Sequence, residues 1–90
     1  MELFWRERKS GQSLILRSED ETEVEVGAVR RTPNGFDALA KTNTYDPGRA
    51  QRGFASMEEG KQFVESFHPW DLFGGDPNQK VAAGVRPLSG

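Results

Sequence analysis

Only one stretch of this chain has the periodicity of an α-helix, and everything before it reads as strand and turn. Ser56-Met57-Glu58-Glu59 is a capping box, with serine at the N-cap and glutamate three residues on. Met57, Gly60, Phe63, Val64 and Phe67 recur at spacings of three and four, which places them on one helical face. Glu58 and Glu59 lie where the helix dipole favours negative charge. Glycine costs about 1 kcal/mol relative to alanine inside a helix. Gly60 on the apolar face therefore implies a close approach to a neighbouring element. Pro69 disfavours helical geometry at His68 and ends the helix. One helix, from about Met57 to Phe67, can cover one face of a small sheet. The expected fold is α+β, a three- to four-stranded antiparallel sheet packed against one C-terminal helix.

The strands are read from alternation and turn chemistry. Leu3 to Arg8 has the aromatic content of a strand, Lys9-Ser10-Gly11-Gln12 is a turn signal, and Leu14-Ile15-Leu16-Arg17 is a second short strand. Together they predict an N-terminal hairpin. From Thr22 to Thr32, Glu23 and Glu25 alternate with Val24 and Val26, the period of a half-buried strand. After Gly27 the apolar phase shifts by one at Ala28-Val29, which predicts a β-bulge near Gly27. Pro33-Asn34-Gly35 predicts a hairpin turn of type I′, returning the chain through Phe36 to Thr44. Phe36, Ala38 and Ala40 share one face. Leu39 lies on the other and marks either an exposed apolar contact or a sheet covered on both sides. Tyr45-Asp46-Pro47-Gly48-Arg49 reads as a loop, and Arg52-Gly53-Phe54 as a brief extended segment before the helix.

A chain of 90 residues is one domain. With 34% hydrophobic residues its core must be small. Beyond Gly74 little apolar material remains, so residues 1–73 are expected to form the domain and residues 74–90 a flexible tail. Trp70, Leu72 and Phe73 are too apolar for free chain and should close the core or form a contact surface. There is no cysteine, which excludes disulfides and cysteine metal sites. Met1 to Arg6 lacks the apolar run of a signal peptide. No apolar segment approaches the ~20 residues that span a bilayer. A soluble, cytoplasmic protein without a membrane partner is expected.

The chemistry is mostly exclusion. His68 is the single histidine. It has no cysteine partner, and no serine sits in a nucleophile-elbow motif. The spacing of Glu19, Asp20, Glu21, Glu23 and Glu25 does not match a calcium loop. No glycine pattern cradles a phosphate. Neither enzymatic activity nor a cofactor is expected. Two binding readings remain. The first is a non-enzymatic module acting through a protein partner or as a homodimer. Its candidate contacts are the acidic residues Glu19, Asp20, Glu21, Glu23 and Glu25 and the apolar residues Trp70, Leu72 and Phe73. The rival is a nucleic-acid-binding sheet using Arg30, Arg31, Lys41, Arg49 and Arg52, with hydroxyls from Thr32, Thr42 and Thr44. The net charge of −2 argues against strong nucleic-acid binding.

Gly53-Phe54-Ala55-Ser56-Met57-Glu58-Glu59-Gly60 resembles the last-strand-to-helix junction of AP2-type and integrase-type DNA-binding domains. The resemblance implies a three-stranded sheet backed by one helix. The strand tryptophan and arginine positions of such domains are not matched, since Trp5 and Trp70 lie outside the central hairpin. The chain is therefore not assigned to that family.

Overall fold

The computed structural model describes residues 1–44 and 46–88. Tyr45, expected in the loop before Asp46, and Ser89 and Gly90, at the end of the expected tail, lie outside the described residues. The strands are β1 (Glu2–Arg8), β2 (Gly11–Arg17), β3 (Glu23–Thr32), β4 (Gly35–Ala40), β5 (Ala50–Phe54) and β6 (Val85–Arg86). They form one sheet in the order β5-β4-β3-β2-β1-β6. A single helix, α1 (Met57–Ser66), packs on it.

The α+β class holds, but the sheet has six strands rather than three to four. It is also mixed, because β6 runs parallel to β1 while the other pairings are antiparallel. The two strands beyond those four are the edges, and β5 contains the extended segment read at Arg52-Gly53-Phe54. β5 reads Ala-Gln-Arg-Gly-Phe, without alternation, and β6 is two residues long. Edge strands need not alternate, because less of their surface is buried. β6 falls within the stretch expected to be a flexible tail. The chain leading to it is tied to β1: Ala82 N–H donates to Leu3 O at 2.8 Å, and the Gln79 side chain donates to Met1 O at 2.9 Å.

The bulge lies where the apolar phase shifts. Leu14 pairs with Gly27 and Ile15 with Glu25, leaving Val26 as the extra residue. That insertion lets Val24 and Val29 both face the helix although their spacing is odd. The β3–β4 turn differs from expectation. Thr32 pairs with Gly35, so Pro33 and Asn34 are its central residues. Type I′ needs positive φ at both central positions, and proline cannot supply it. The positive φ falls on Gly35, at 127°.

Helix α1 starts as the capping box predicts. Ser56 Oγ accepts the Glu59 N–H at 3.2 Å, and the Glu59 carboxylate accepts the Ala55 N–H at 3.1 Å. Sheet and helix then meet through two glycine gaps. A Cβ on Gly60 would lie 2.8 Å from Val29 Cγ1, and one on Gly27 would lie 2.4 Å from Val64 Cγ1. Each valine fills the space that the opposite glycine leaves. Leu3, Trp5, Leu14, Leu16, Ala38 and Ala40 complete the core between the layers. Trp70 joins it at 3% exposure, its indole N–H donating to Asp76 O at 2.9 Å. No helix is long and apolar enough to cross a membrane.

Candidate binding face

The sheet face turned away from α1 has no second layer of backbone, and its two halves solve that problem differently. On β1 and β2 it carries Phe4 and Ile15, which are nonetheless 0% and 2% exposed. Charged side chains cover Phe4. The guanidinium of Arg86 lies 3.8 Å from the Phe4 ring centroid, with those of Arg6 and Arg17 at 5.2 and 5.3 Å. All three are within cation–π range. Carboxylates link the cations. Glu23 accepts two bonds from Arg6 at 2.8 Å each and two from Arg17 at 2.7 and 3.0 Å. Glu2 pairs with Arg17 at 3.3 Å and with Arg86 at 2.5 Å. The result is an acid–base lid over Phe4.

The electrostatics follow from this pairing. The Arg6 and Arg17 hydrogen bonds pull the Glu23 carboxyl down to about 2. The Arg86 hydrogen bond lowers Glu2 below the ordinary carboxylate range. Beside the lid, Glu25 accepts from the Ser13 hydroxyl at 2.8 Å and pairs with Lys41 at 3.0 Å. Burial pushes the Glu25 carboxyl up, but its bonds to Lys41 and Ser13 prevail and hold it below the usual value.

The other half, on β3, β4 and β5, has no lid. Ala28, Leu39 and Ala50 line a groove of about 500 Å³, and Leu39 is 41% exposed. Arg30 and Arg52 also line it. Among the described residues neither has a side-chain hydrogen bond or ion pair. The register shifts between Phe36 and Ala38, so Arg52 and Gly53 together oppose Asp37. The Asp37 carboxylate accepts the Gly53 N–H at 3.2 Å, which fixes that bulge at the groove's margin. No family model, curated protein or solved structure matches this chain.

The residues singled out from sequence are thus distributed over several places. Glu23 and Glu25 are engaged by Arg6, Arg17, Lys41 and Arg8. Glu19, Asp20 and Glu21 are exposed in the β2–β3 turn. Asp20 braces that turn, accepting from the Ser18 hydroxyl and the Thr22 N–H, and these bonds lower its carboxyl to about 2. Trp70 is in the core, Phe73 packs against it, and Leu72 is 42% exposed. Of the basic set, Arg30 and Arg52 converge on the groove. Arg31 pairs with Phe36 and so falls on the helix side of β3. Lys41 holds Glu25. Arg49 donates to the carbonyls of Ala40 and Lys41 at 3.2 and 3.0 Å and stacks on Phe67 at 4.9 Å. His68 is exposed and tilted against Trp70, with ring centroids 5.1 Å apart. Among the described residues no group of three or more histidine, aspartate or glutamate side chains could hold a metal ion. Sequence reasoning did not single out the groove's alanines, Ala28 and Ala50. Leu39 on an otherwise polar face was the available signal.

Proposed function

We propose that this protein is a non-enzymatic binding module that grips another protein at the uncovered half of its sheet. The observation that carries the reading is the contrast between the two halves of one face. Over Phe4, Arg6 and Arg17 close through the Glu23 carboxylate. Beside Leu39, Arg30 and Arg52 flank Asp37, whose carboxylate accepts the Gly53 N–H at 3.2 Å and, among the described residues, makes no ion pair with either arginine. A partner segment that sets an apolar side chain on Ala28, Leu39 and Ala50 and brings a carboxylate to the two arginines, beside that of Asp37, completes an equivalent lid. Charge-assisted bonds to arginine in a partly desolvated groove suit that role. The nucleic-acid alternative is weaker. Two convergent cations neutralise few phosphates, and affinity for a duplex scales with that number. The proposed setting is the cytoplasm, where a chain without cysteine needs no oxidising environment to fold.

The test is an amide-shift titration of the labelled protein with a short synthetic peptide, Asp-Leu-Glu-Asp, and separately with a mixed-sequence DNA duplex. Peptide-induced shifts at Ala28, Arg30, Leu39 and Arg52 that vanish in an Arg30→Ala/Arg52→Ala variant support the reading. Shifts with the duplex alone, or with neither probe, refute it.

A further inference from the structure

The lid over Phe4 has one member from outside the five-strand meander. Val85 and Arg86 pair in parallel with Trp5 and Arg6 of β1, and upstream of them the Ala82 N–H donates to Leu3 O at 2.8 Å. Pro87 follows at once, and its φ, held at about −65°, is far from the roughly −120° of a parallel strand. Within those two residues three kinds of recognition are combined. The main chain pairs with β1. The Arg86 guanidinium lies on the Phe4 ring at 3.8 Å. The same guanidinium bonds the Glu2 carboxylate at 2.5 Å. Among the described residues none pairs with the rest of the β1 edge, at Glu7 and Arg8.

We propose that the β1 edge is a docking site for an extended, arginine-bearing segment of a partner protein, and that Val85–Arg86 occupies it in cis. The strap shows what the site takes: an apolar residue followed by arginine, in parallel register. A partner segment without the proline makes the same three contacts and continues the ladder along Glu7 and Arg8. It therefore competes with a strap that pairs over only two residues, with one further bond from Ala82, even though the strap is covalently tethered. Adding a strand to an exposed sheet edge draws affinity from the main chain and selectivity from alternate side chains. Here Phe4 and Glu2 supply the selectivity. The tether sets the height of the barrier, because an intramolecular segment acts at an effective concentration in the millimolar range. This site is separate from the Leu39 groove and does not depend on it.

The experiment uses the full chain carrying Arg86→Glu, which sets a carboxylate against Glu2 and releases the strap. The probe is a fluorescent peptide of the chain's own segment, Ala-Ala-Gly-Val-Arg-Pro-Leu, beside a proline-free version, Ala-Ala-Gly-Val-Arg-Val-Thr. Anisotropy should show at least tenfold tighter binding to Arg86→Glu than to the unaltered protein, and tighter binding of the proline-free peptide. Amide shifts should centre on Phe4, Trp5 and Arg6. A peptide with glutamate in place of arginine should not bind. The double variant Glu2→Arg/Arg86→Glu, which re-forms the pair with charges exchanged, should lose binding again. Equal binding to the unaltered and Arg86→Glu proteins overturns the proposal. So does the absence of shifts on β1 in a folded variant at millimolar peptide. If Arg86→Glu does not fold, Arg86→Ala replaces it: tighter peptide binding than to the unaltered protein supports the proposal, and equal binding overturns it.

Discussion

Replacing Gly60 with alanine should be destabilising in the native chain and stabilising once Val29 is cut back. A methyl at position 60 would lie 2.8 Å from Val29 Cγ1 and 3.2 Å from Cγ2. Val29 is a stiff, β-branched residue at 1% exposure, so its methyl groups have nowhere to turn. Overpacking of this kind costs about 1–3 kcal/mol. Against it stands a gain of about 1 kcal/mol, because alanine is the better helix former. The expected net loss for Gly60→Ala is roughly 1 kcal/mol, a fall of about 4–8 °C in Tm for a domain of this size. Val29→Ala alone should cost about 2 kcal/mol through lost burial and the cavity left behind. In that background the obstructing methyl groups are gone, and Gly60→Ala should stabilise by about 1 kcal/mol. The cycle then closes on a coupling of about 2 kcal/mol, large enough to resolve between residues in contact. Urea unfolding followed by the fluorescence of Trp5 and Trp70, both buried, measures all four corners. If Gly60→Ala stabilises equally in both backgrounds, the helix stands off from the sheet and the packing argument fails. Gly27→Ala is a companion test. Its methyl meets Val64 Cγ1 at 2.4 Å and the Leu39 carbonyl oxygen at 3.2 Å, with no helix propensity to offset the clash. It should therefore be the more damaging of the two.

Two further outcomes are expected. Ser56→Ala removes the acceptor of the Glu59 N–H and should cost about 1 kcal/mol, with the loss much smaller for Ser56→Asp; thermal unfolding of the three proteins decides it. Glu23 has a folded pKa of about 2 against an ordinary value of 4.5. Because the folded value is the lower one, the stability it contributes is fully present above about pH 4.5 and is lost as pH falls towards 2. The Tm gap between the native chain and Glu23→Gln should shrink over that interval, and shrink at neutral pH in about 1 M salt, where the screening length is about 3 Å. A gap independent of pH would refute the lid's electrostatic account.

What is legible in the sequence is whatever local chemistry decides. The capping box, the end of α1 near His68-Pro69, the bulge beside Gly27 and the close approach at Gly60 each rest on residues within a few positions of one another. The hairpin turn misleads because Asn34-Gly35 alone suggests type I′, whereas the fixed φ of Pro33 moves the positive-φ position to Gly35. The edge strand β6 and the start of β5, ahead of the extended segment at Arg52-Gly53-Phe54, are hidden for another reason. Their residues pair because of where the sheet ends, which no local pattern records. The binding face is hidden by the same non-locality. Glu23 and Glu25 look like a solvated strand face until β2 and β1 bring Arg17 and Arg6 beside them. Arg30 and Arg52 are 22 positions apart in sequence and share a groove only because β4 lies between their strands. Leu39, apolar on a polar face, is the one residue that points there directly.

The order of strands in the sheet also orders events during synthesis. Among β1 to β5 each pairing is between neighbours in the chain, so the meander can zip in the direction in which it leaves the ribosome. Such local pairings close cheaply and form fast. Helix α1, which packs on β3, β4 and β5, and Trp70, which completes the core, are translated only after all five strands. Until they arrive, the sheet presents a bare apolar face and an open β1 edge, the state in which a nascent chain is most exposed to aggregation. β6 arrives later still and joins the first strand of the chain across the largest sequence separation of any pairing in the sheet. β6 thus seals the edge of β1 after the meander has paired, and a chain lacking residues 85 and 86 would keep the meander and leave that edge open.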